Sequence, residues 1–491
     1  MTFEDLRKIP GIAEKIKAEA RAEIARRSFW DFCLAIDPDF FHRRPFLKEI
    51  AQAMQDVAKG RILRLAISLP PRAGKSYLAS CFSTWMLGNQ PSGAIMRNTC
   101  TATLYQKFSY DTRAIILSDR YRAIFPTLAL APDKQNLNGW NTDKAIQVSY
   151  FGAGVGGTII GFGATLVAIT DDLFRSFEDA ISETIRDKTQ SWYQGNHVSR
   201  MEKGCPAIDI GTRWSKKDII GQNRESGYYD RIISVPALTP DQKSFCEDVK
   251  TTTEYLDLQT RTPKEIWCAE YQQEPIEAAG TLFVKEELKR FNLAQLRQKL
   301  APIQINGSKE KRPEIQPDAV LGYIDVADEG TDRLAFAVGV VIGANVYLID
   351  VVFTAENIDV TLPLCVSAIN THQVDYTRVE GNNQGSVMIK MLRGYLDASQ
   401  ILKVTNTANK HSRILMQYGT IKHHFHFIED SQIIKGSPYD QFLQQVLEYS
   451  KTGASKHDDA PDALAGLAKF VTSFLPHLFA PKKAEPQEHG M

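Results

Sequence analysis

The sequence predicts an α/β protein of two successive units, the first built on a mainly parallel sheet and the second on a mixed sheet. Three observations predict this. A short apolar run ends in Pro70-Pro71-Arg72-Ala73-Gly74-Lys75-Ser76 and leads into a helical stretch. From about residue 29 to 240, short apolar strands alternate with helical stretches, the pattern of a parallel sheet with crossovers. After residue 318 the order becomes strand, hairpin, strand and helices, with acidic residues at several element ends.

At 491 residues, 43% hydrophobic and 24% charged, the chain is globular and too long for one core. Lys+Arg and Asp+Glu each number 58, so bulk charge gives no support to nucleic-acid binding, and any such surface must be a local patch. The seven cysteines (33, 81, 100, 205, 246, 268, 365) contain no CxxC pair, which fits reduced thiols better than disulfides or a zinc site. No apolar run is long enough to span a bilayer and the start is charged, so a soluble intracellular protein is expected.

Taken in order, residues 1–28 are rich in Ala, Glu, Lys and Arg and read as a helical arm broken at Pro10-Gly11. Residues 29–240 form the first α/β unit, with strands expected at 63–69, 93–97, 145–150, 165–170, 207–211 and 231–235. Residues 241–317 read as a polar, mostly helical subdomain ending in a Gly- and Pro-bearing linker from Asn306 to Pro317. Residues 318–475 form the second unit: strand 319–325, a hairpin of 334–342 and 345–353 turning at Gly343-Ala344, strand 374–379, a helix over 383–398 and a closing apolar helix over 461–475. The tail 476–491 reads as disordered.

The strand, the Gly74-Lys75-Ser76 turn and the helix together make a P-loop setting. The turn Pro71-Arg72-Ala73-Gly74 would wrap nucleotide phosphates, with backbone N–H groups at the helix N-terminus facing them, Lys75 would reach the β- and γ-phosphates, and Ser76 would ligate Mg²⁺. The usual first glycine is replaced by Leu69. The strand Leu166 to Thr170 ends in Asp171 and Asp172, and such a strand is expected beside the P-loop strand. Asp171 would hold the metal and Asp172 would polarise the attacking water. Thr212, at the end of another strand, can sense the γ-phosphate, and Arg213 can relay the state. Arg72 is a candidate finger that stabilises the transferred phosphoryl group, in cis or across a subunit boundary. Phe41 to Phe46 could cradle the adenine. Six glycines between Gly152 and Gly163 imply tight turns or close approach, and they precede a strand, which excludes a dinucleotide fingerprint.

The second unit carries a different chemistry. Asp325 ends its first strand, Glu380 ends its fourth, and Asp458-Asp459-Ala460-Pro461-Asp462 opens the last helix. Pro461 suits a first helical turn, and Asp462 lies three residues from Asp459 and four from Asp458. If the first and fourth strands are neighbours, three or four acids converge. Such acids repel unless divalent cations sit between them, which is the layout of a two-metal phosphodiester-cleaving site. Asp332 is an outer-ligand candidate, and Lys410 and Arg413 could contact DNA phosphates. His424 and His426 would share one face if they lay on a strand.

These motifs, with Ala269-Glu270-Tyr271-Gln272-Gln273-Glu274-Pro275 between them, resemble in order and spacing the large terminase subunit of tailed bacteriophages, over about residues 40 to 470. The resemblance implies a P-loop ATPase domain followed by an RNase H-like nuclease domain. It implies ATP and Mg²⁺ as cofactors, with Mn²⁺ an alternative at the nuclease site. The implied activity is translocation of double-stranded DNA into a procapsid and endonucleolytic cutting of concatemeric DNA. The implied partners are a small terminase subunit and the portal ring, with a homo-oligomeric ring on the procapsid, no membrane, and a location in the host cytoplasm. On this resemblance Asp325, Glu380 and Asp459 are the nuclease acids, Asp459 being favoured over Asp458 and Asp462 as the inner ligand. Asp172 stands where many relatives carry Glu. A helicase or remodelling ATPase fused to a repair nuclease is the rival reading.

Overall fold

The structure, a computed structural model, describes residues 12–159, 161–276, 280–304, 311–326, 333–381, 383–397, 400–406, 409–453, 455 and 457–479. The chain divides into two compact units, 1–259 with 264–277, and 260–263 with 278–491.

In the first unit the strands are β1 (Arg64–Ser68), β2 (Ile95–Thr99), β3 (Leu130–Asn136), β4 (Gly139–Thr142), β5 (Tyr150–Phe151), β6 (Val167–Asp171), β7 (Ala207–Ile210) and β8 (Arg231–Ser234). Their order is β3-β4-β5-β2-β6-β7-β1-β8. The β5-β2-β6-β7-β1-β8 stretch is parallel throughout, and only the β3-β4-β5 edge is antiparallel. The central strands are buried on both faces, so they read as unbroken apolar runs. The aromatic residues Phe29, Phe32, Phe82 and Trp85 join the helices 29–36 and 75–89 into one core.

One expectation fails here. The Asp171 strand does not lie beside the P-loop strand, because β7 is inserted between them and pairs in parallel with both. The inserted strand brings Thr212 to the gap between Lys75 and Asp172. The expected strand 145–150 shrinks to the two residues of β5, and the helical arm covers Ile12–Arg27, with 1–11 outside the described residues.

The second unit adds β9 (Lys289–Phe291), β10 (Pro302–Gln304), β11 (Lys311–Pro313), β12 (Ala319–Asp325), β13 (Leu334–Ile342), β14 (Asn345–Thr354), β15 (Tyr376–Glu380), β16 (Ile401–Val404) and β17 (Phe425–Ile428). Its main sheet has the order β16-β15-β12-β13-β14-β17-β9. β12-β13-β14 is an antiparallel meander and the outer pairings are parallel, a mixed sheet. The helix Asp459–Phe474 lies against β12, β13 and the helix Lys410–His424. Its residues are buried without a break from Asp459 to Ala465.

The segment expected to be mostly helical before residue 300 also contributes β9 to this sheet's edge, followed by the helix Leu293–Leu300. Part of the expected linker, Lys311–Pro313, pairs with Pro302–Gln304 instead; residues 305–310 lie outside the described set. Pro476–Phe479, expected as tail, forms a short helix, and 480–491 lie outside the described residues. Among the described residues no helix is long and apolar enough to cross a membrane.

Candidate active sites

The first site forms where β1 meets the helix Lys75–Asn89. Gly74 takes φ 102°, a left-handed conformation that starts the helix, and a Cβ there would lie 2.6 Å from the Phe40 ring. The fifteen-residue helix points its N-terminal N–H groups at the loop, which suits an anion. Lys75 is buried. Its Nζ donates to Thr212 Oγ1 at 2.7 Å and pairs with Asp172 Oδ2 at 3.2 Å. Ser76 Oγ donates to Asp171 Oδ1 at 3.1 Å. Thus Lys75, Ser76, Asp171, Asp172 and Thr212 converge as the sequence reading requires, and the hydroxyl and carboxylate that would share a Mg²⁺ already touch.

The sequence reading missed Arg97, on the adjacent β2. Its guanidinium is fully buried and pairs with Asp171 Oδ2 at 2.5 Å, while also donating to Ser76 O and Ser80 Oγ at 2.8 Å each. Burial pushes the Asp171 carboxyl above its ordinary pKa and Arg97 pulls it back. An arginine in the middle of a strand buried along its whole length is the signal that could have found it.

Asp172 sits at φ 53°, unusual for a residue with a side chain, and Arg72 at φ 66°. Strain of this kind, of order 1 kcal/mol or more per residue, collects at functional loops. Asp172 Oδ1 accepts from the Thr212 N–H at 2.9 Å, so the base candidate and the sensor candidate are already linked. Arg72 has an exposed side chain. Arg213, by contrast, is buried on Asp218 (Nε to Oδ2 3.1 Å), and its N–H donates to Gln273 Oε1 at 3.1 Å. Gln273 belongs to the segment that follows the π-helical turn Trp267–Tyr271. In that turn Glu270 is pushed up to about 7, by burial and by the Asp172 charge, against the pull of Lys75. In the sequence Glu270 stands out only as part of a motif; its place near the P-loop lysine depends on folding.

One expectation is not met in this unit. Phe41 is fully buried and stacked on Tyr77, so it belongs to the core rather than to an adenine cradle. Arg44 lies over the Phe40 ring at 4.1 Å. The glycine run is explained by close approach: a Cβ on Gly152 would sit 1.7 Å from Arg97 O, and one on Gly154 2.4 Å from Ala102 N. Ile160 of this run lies outside the described residues.

The second site forms at one end of the second sheet. β12 and β15 pair in parallel with Ile324 opposite Val379, which sets Asp325 and Glu380 side by side one residue further on. The last helix brings Asp462 over them, and one oxygen from each of the three acids lies within 4.8 Å of the others. Asp325 and Asp462 are buried, and Glu380 Oε2 is buried without a hydrogen-bond partner. An orphaned acidic oxygen beside two buried carboxylates fits a divalent cation. Burial pushes the Asp325 carboxyl well up, with Asp462 adding to the effect and Lys410 opposing it. Burial likewise pushes Asp462 up to about 6, against Arg413.

The structure therefore gathers Asp325, Glu380 and Asp462, and leaves Asp459 beside the set. Asp459 Oδ2 accepts from the Arg333 N–H at 3.2 Å. Asp458 pairs with Lys410 at 3.1 Å. Position along the helix decides this: Asp462, nearly a turn further on, lies with the strand-end acids, while Asp459, at the helix start, reaches Arg333 just before β13. Lys410 and Arg413 are the two candidates for DNA phosphates. Both come from one helix and turn onto the acids. Lys410 Nζ lies 4.0 Å from Asp325, while Arg413 Nη1 reaches Glu380 Oε1 at 3.1 Å and Nη2 pairs with Asp462. His424 ends the helix Lys410–His424 rather than sharing a strand face with His426. Their rings bond Ala344 O and Asn345 Oδ1. Asp332 lies outside the described residues.

Residues 324–451 match the family described as Terminase Bacteriophage T7, Ribonuclease H-like domain. Asp462 falls beyond that range. The large terminase of a thermophilic bacteriophage in complex with ATP-gamma-S is 10% identical, over 86% of this chain and 98% of that one, with a TM-score of 0.50. The same phage's large terminase in complex with ADP is 9% identical, over 86% and 98%, with a TM-score of 0.50. The HK97 bacteriophage large terminase is 10% identical, over 86% and 93%, with a TM-score of 0.34. No curated protein matches the chain. The fold is a mostly parallel, ATPase-like α/β unit followed by an RNase H-like mixed-sheet unit. That two-part fold is the fold of phage large terminases, shared across most of this chain.

Proposed function

We propose that the chain is the motor and nuclease subunit of a viral DNA-packaging machine. It drives double-stranded DNA into a procapsid with ATP and cuts concatemeric DNA by metal-dependent endonucleolysis. The single observation that supports this most is two phosphate-handling centres in one chain: Lys75 with Ser76, Asp171 and Thr212, and Asp325 with Glu380 and Asp462. The fold shared with phage large terminases supports the same reading.

At the first centre Pro71, Arg72, Ala73, Gly74, Lys75 and Ser76 hold the ATP phosphates, and Ser76 with Asp171 holds Mg²⁺. As Lys75 exchanges Asp172 for phosphate oxygens, Asp172 becomes able to accept a proton from the attacking water. Thr212, bonded to both, registers the exchange. Arg72 stabilises charge on the transferred group. At the second centre Asp325, Glu380 and Asp462 hold divalent cations, with Asp459 outside them. Divalent cations bound there supply an activated water and stabilise the leaving oxygen. Lys410 and Arg413 neutralise the acids, and with cations bound in their place they would be free to contact DNA phosphates.

The partners on this reading are double-stranded DNA, a portal ring, a small terminase subunit and further copies of the chain, in the host cytoplasm and transiently on the procapsid. Purified chain, procapsids, ATP and linear DNA should yield DNA protected from DNase. Absence of protection, with duplex unwinding in its place, would instead favour a helicase or remodelling ATPase fused to a repair nuclease.

A further inference from the structure

A cavity of about 140 Å³ opens beside the acidic triad in the second unit. It shares Asp462 and Arg413 with the metal site, so whatever occupies it adjoins the reacting phosphate. Among the described residues Asp462 is the sole acid in its wall, against three cations, Arg378, Arg413 and Lys469. Arg413 is committed to Glu380 and Asp462, which leaves Arg378 and Lys469 as the cationic side. Its apolar lining includes the Tyr323 ring and Met416, which is 66% exposed.

The cavity is held in shape. Arg378 lies over the Phe470 ring at 4.1 Å and donates to Ser473 Oγ at 3.1 Å. Tyr323 accepts from Asn406 Nδ2 at 3.0 Å, and its ring lies so close to the last helix that a Cβ on Gly466 would sit 2.3 Å away. Only glycine leaves room for the ring there. Arg378 and Glu380 alternate on the same face of β15, about 6.6 Å apart along the strand. That separation is comparable to one phosphate-to-phosphate step of a polynucleotide.

We propose that this cavity seats the nucleic-acid backbone one step from the cleaved bond, a phosphate resting on Arg378 and Lys469 and its sugar on Tyr323 and Met416. The proposal rests on the nuclease reading of the triad.

The test uses the full chain carrying Arg378→Gln with Lys469→Gln, and Lys469→Gln alone, whose exposed position makes misfolding negligible. Binding of a duplex oligonucleotide without divalent metal is followed by anisotropy across a salt series. Each lost phosphate contact should make the log–log salt slope shallower by about 1, so by about 2 for the pair. KM for metal-dependent cleavage should rise about tenfold in the double variant. Mn²⁺-induced thermal stabilisation and ATP hydrolysis should not change. An unaltered salt slope and KM overturn the proposal. Loss of the Mn²⁺ effect overturns it too, since the cations would then be supporting the metal site. Failure of the nuclease reading shows separately, as cleavage that survives Asp325→Ala.

Discussion

The Arg97 guanidinium and the Asp171 carboxylate form an ion pair with neither side chain exposed, at the centre of the first sheet. β2 and β6 are parallel neighbours with Arg97 opposite Ile169, so the arginine side chain extends along β6 to the strand end. The same guanidinium holds the Ser76 carbonyl. One buried cation thereby fixes both groups that would share a metal ion.

Replacing Arg97 by Met should destabilise the protein by about 3–5 kcal/mol, because the partner charge stays buried and unpaired. Urea unfolding of the variant checks this. Arg97→Met combined with Asp171→Asn should recover part of the loss, as removing both charges leaves no bare ion.

Lys75→Ala should abolish ATP hydrolysis, measured as released phosphate, and leave metal-dependent DNA cleavage intact. Asp325→Ala should do the reverse. Parallel loss of both activities in either variant would contradict two independent centres.

Asp462→Asn and Asp459→Asn separate the two acids of the last helix. Asp462→Asn should reduce plasmid cleavage by about a hundredfold or more, since it removes a metal-facing oxygen. Asp459→Asn should retain most cleavage, since its amide oxygen can still accept from the Arg333 N–H and it removes no metal-facing oxygen. Equal loss of cleavage in both would place Asp459 among the ligands.

Glu270 gives a pH signature. Its pKa rises from 4.5 to about 7 on folding, chiefly through burial. Between those values the folded state binds more protons than the unfolded one, so stability falls as pH rises. The penalty is absent below the unfolded pKa and complete above about 7. Glu270→Gln should therefore flatten the thermal midpoint between about pH 5 and pH 8, by a free energy on the order of 3 kcal/mol at most. The same slope in wild type and variant would show that Glu270 is not the buried group.

Much of the chemistry was legible because it is local. The run from Pro71 to Ser76 needs only a strand before it and a helix after it, and both are there. Asp325 and Glu380 were legible as strand ends, Asp325 closing an apolar run and Glu380 an alternating one. Arg97, Glu270 and the role of Arg413 were not, because each acts across a large sequence separation. Phe41 misled because its neighbourhood is basic and aromatic, while its own side chain is core.

The linear order of residues thus determined the two α/β units, the phosphate loop and the acidic strand ends, all of which follow from periodicity and from residues adjacent in the chain. Tertiary structure alone decided which strand entered between β1 and β6, which acid of the last helix faces the triad, and which cations cover it. Those outcomes depend on sheet order and helical rotation, which are set by burial over the whole core and by no single segment.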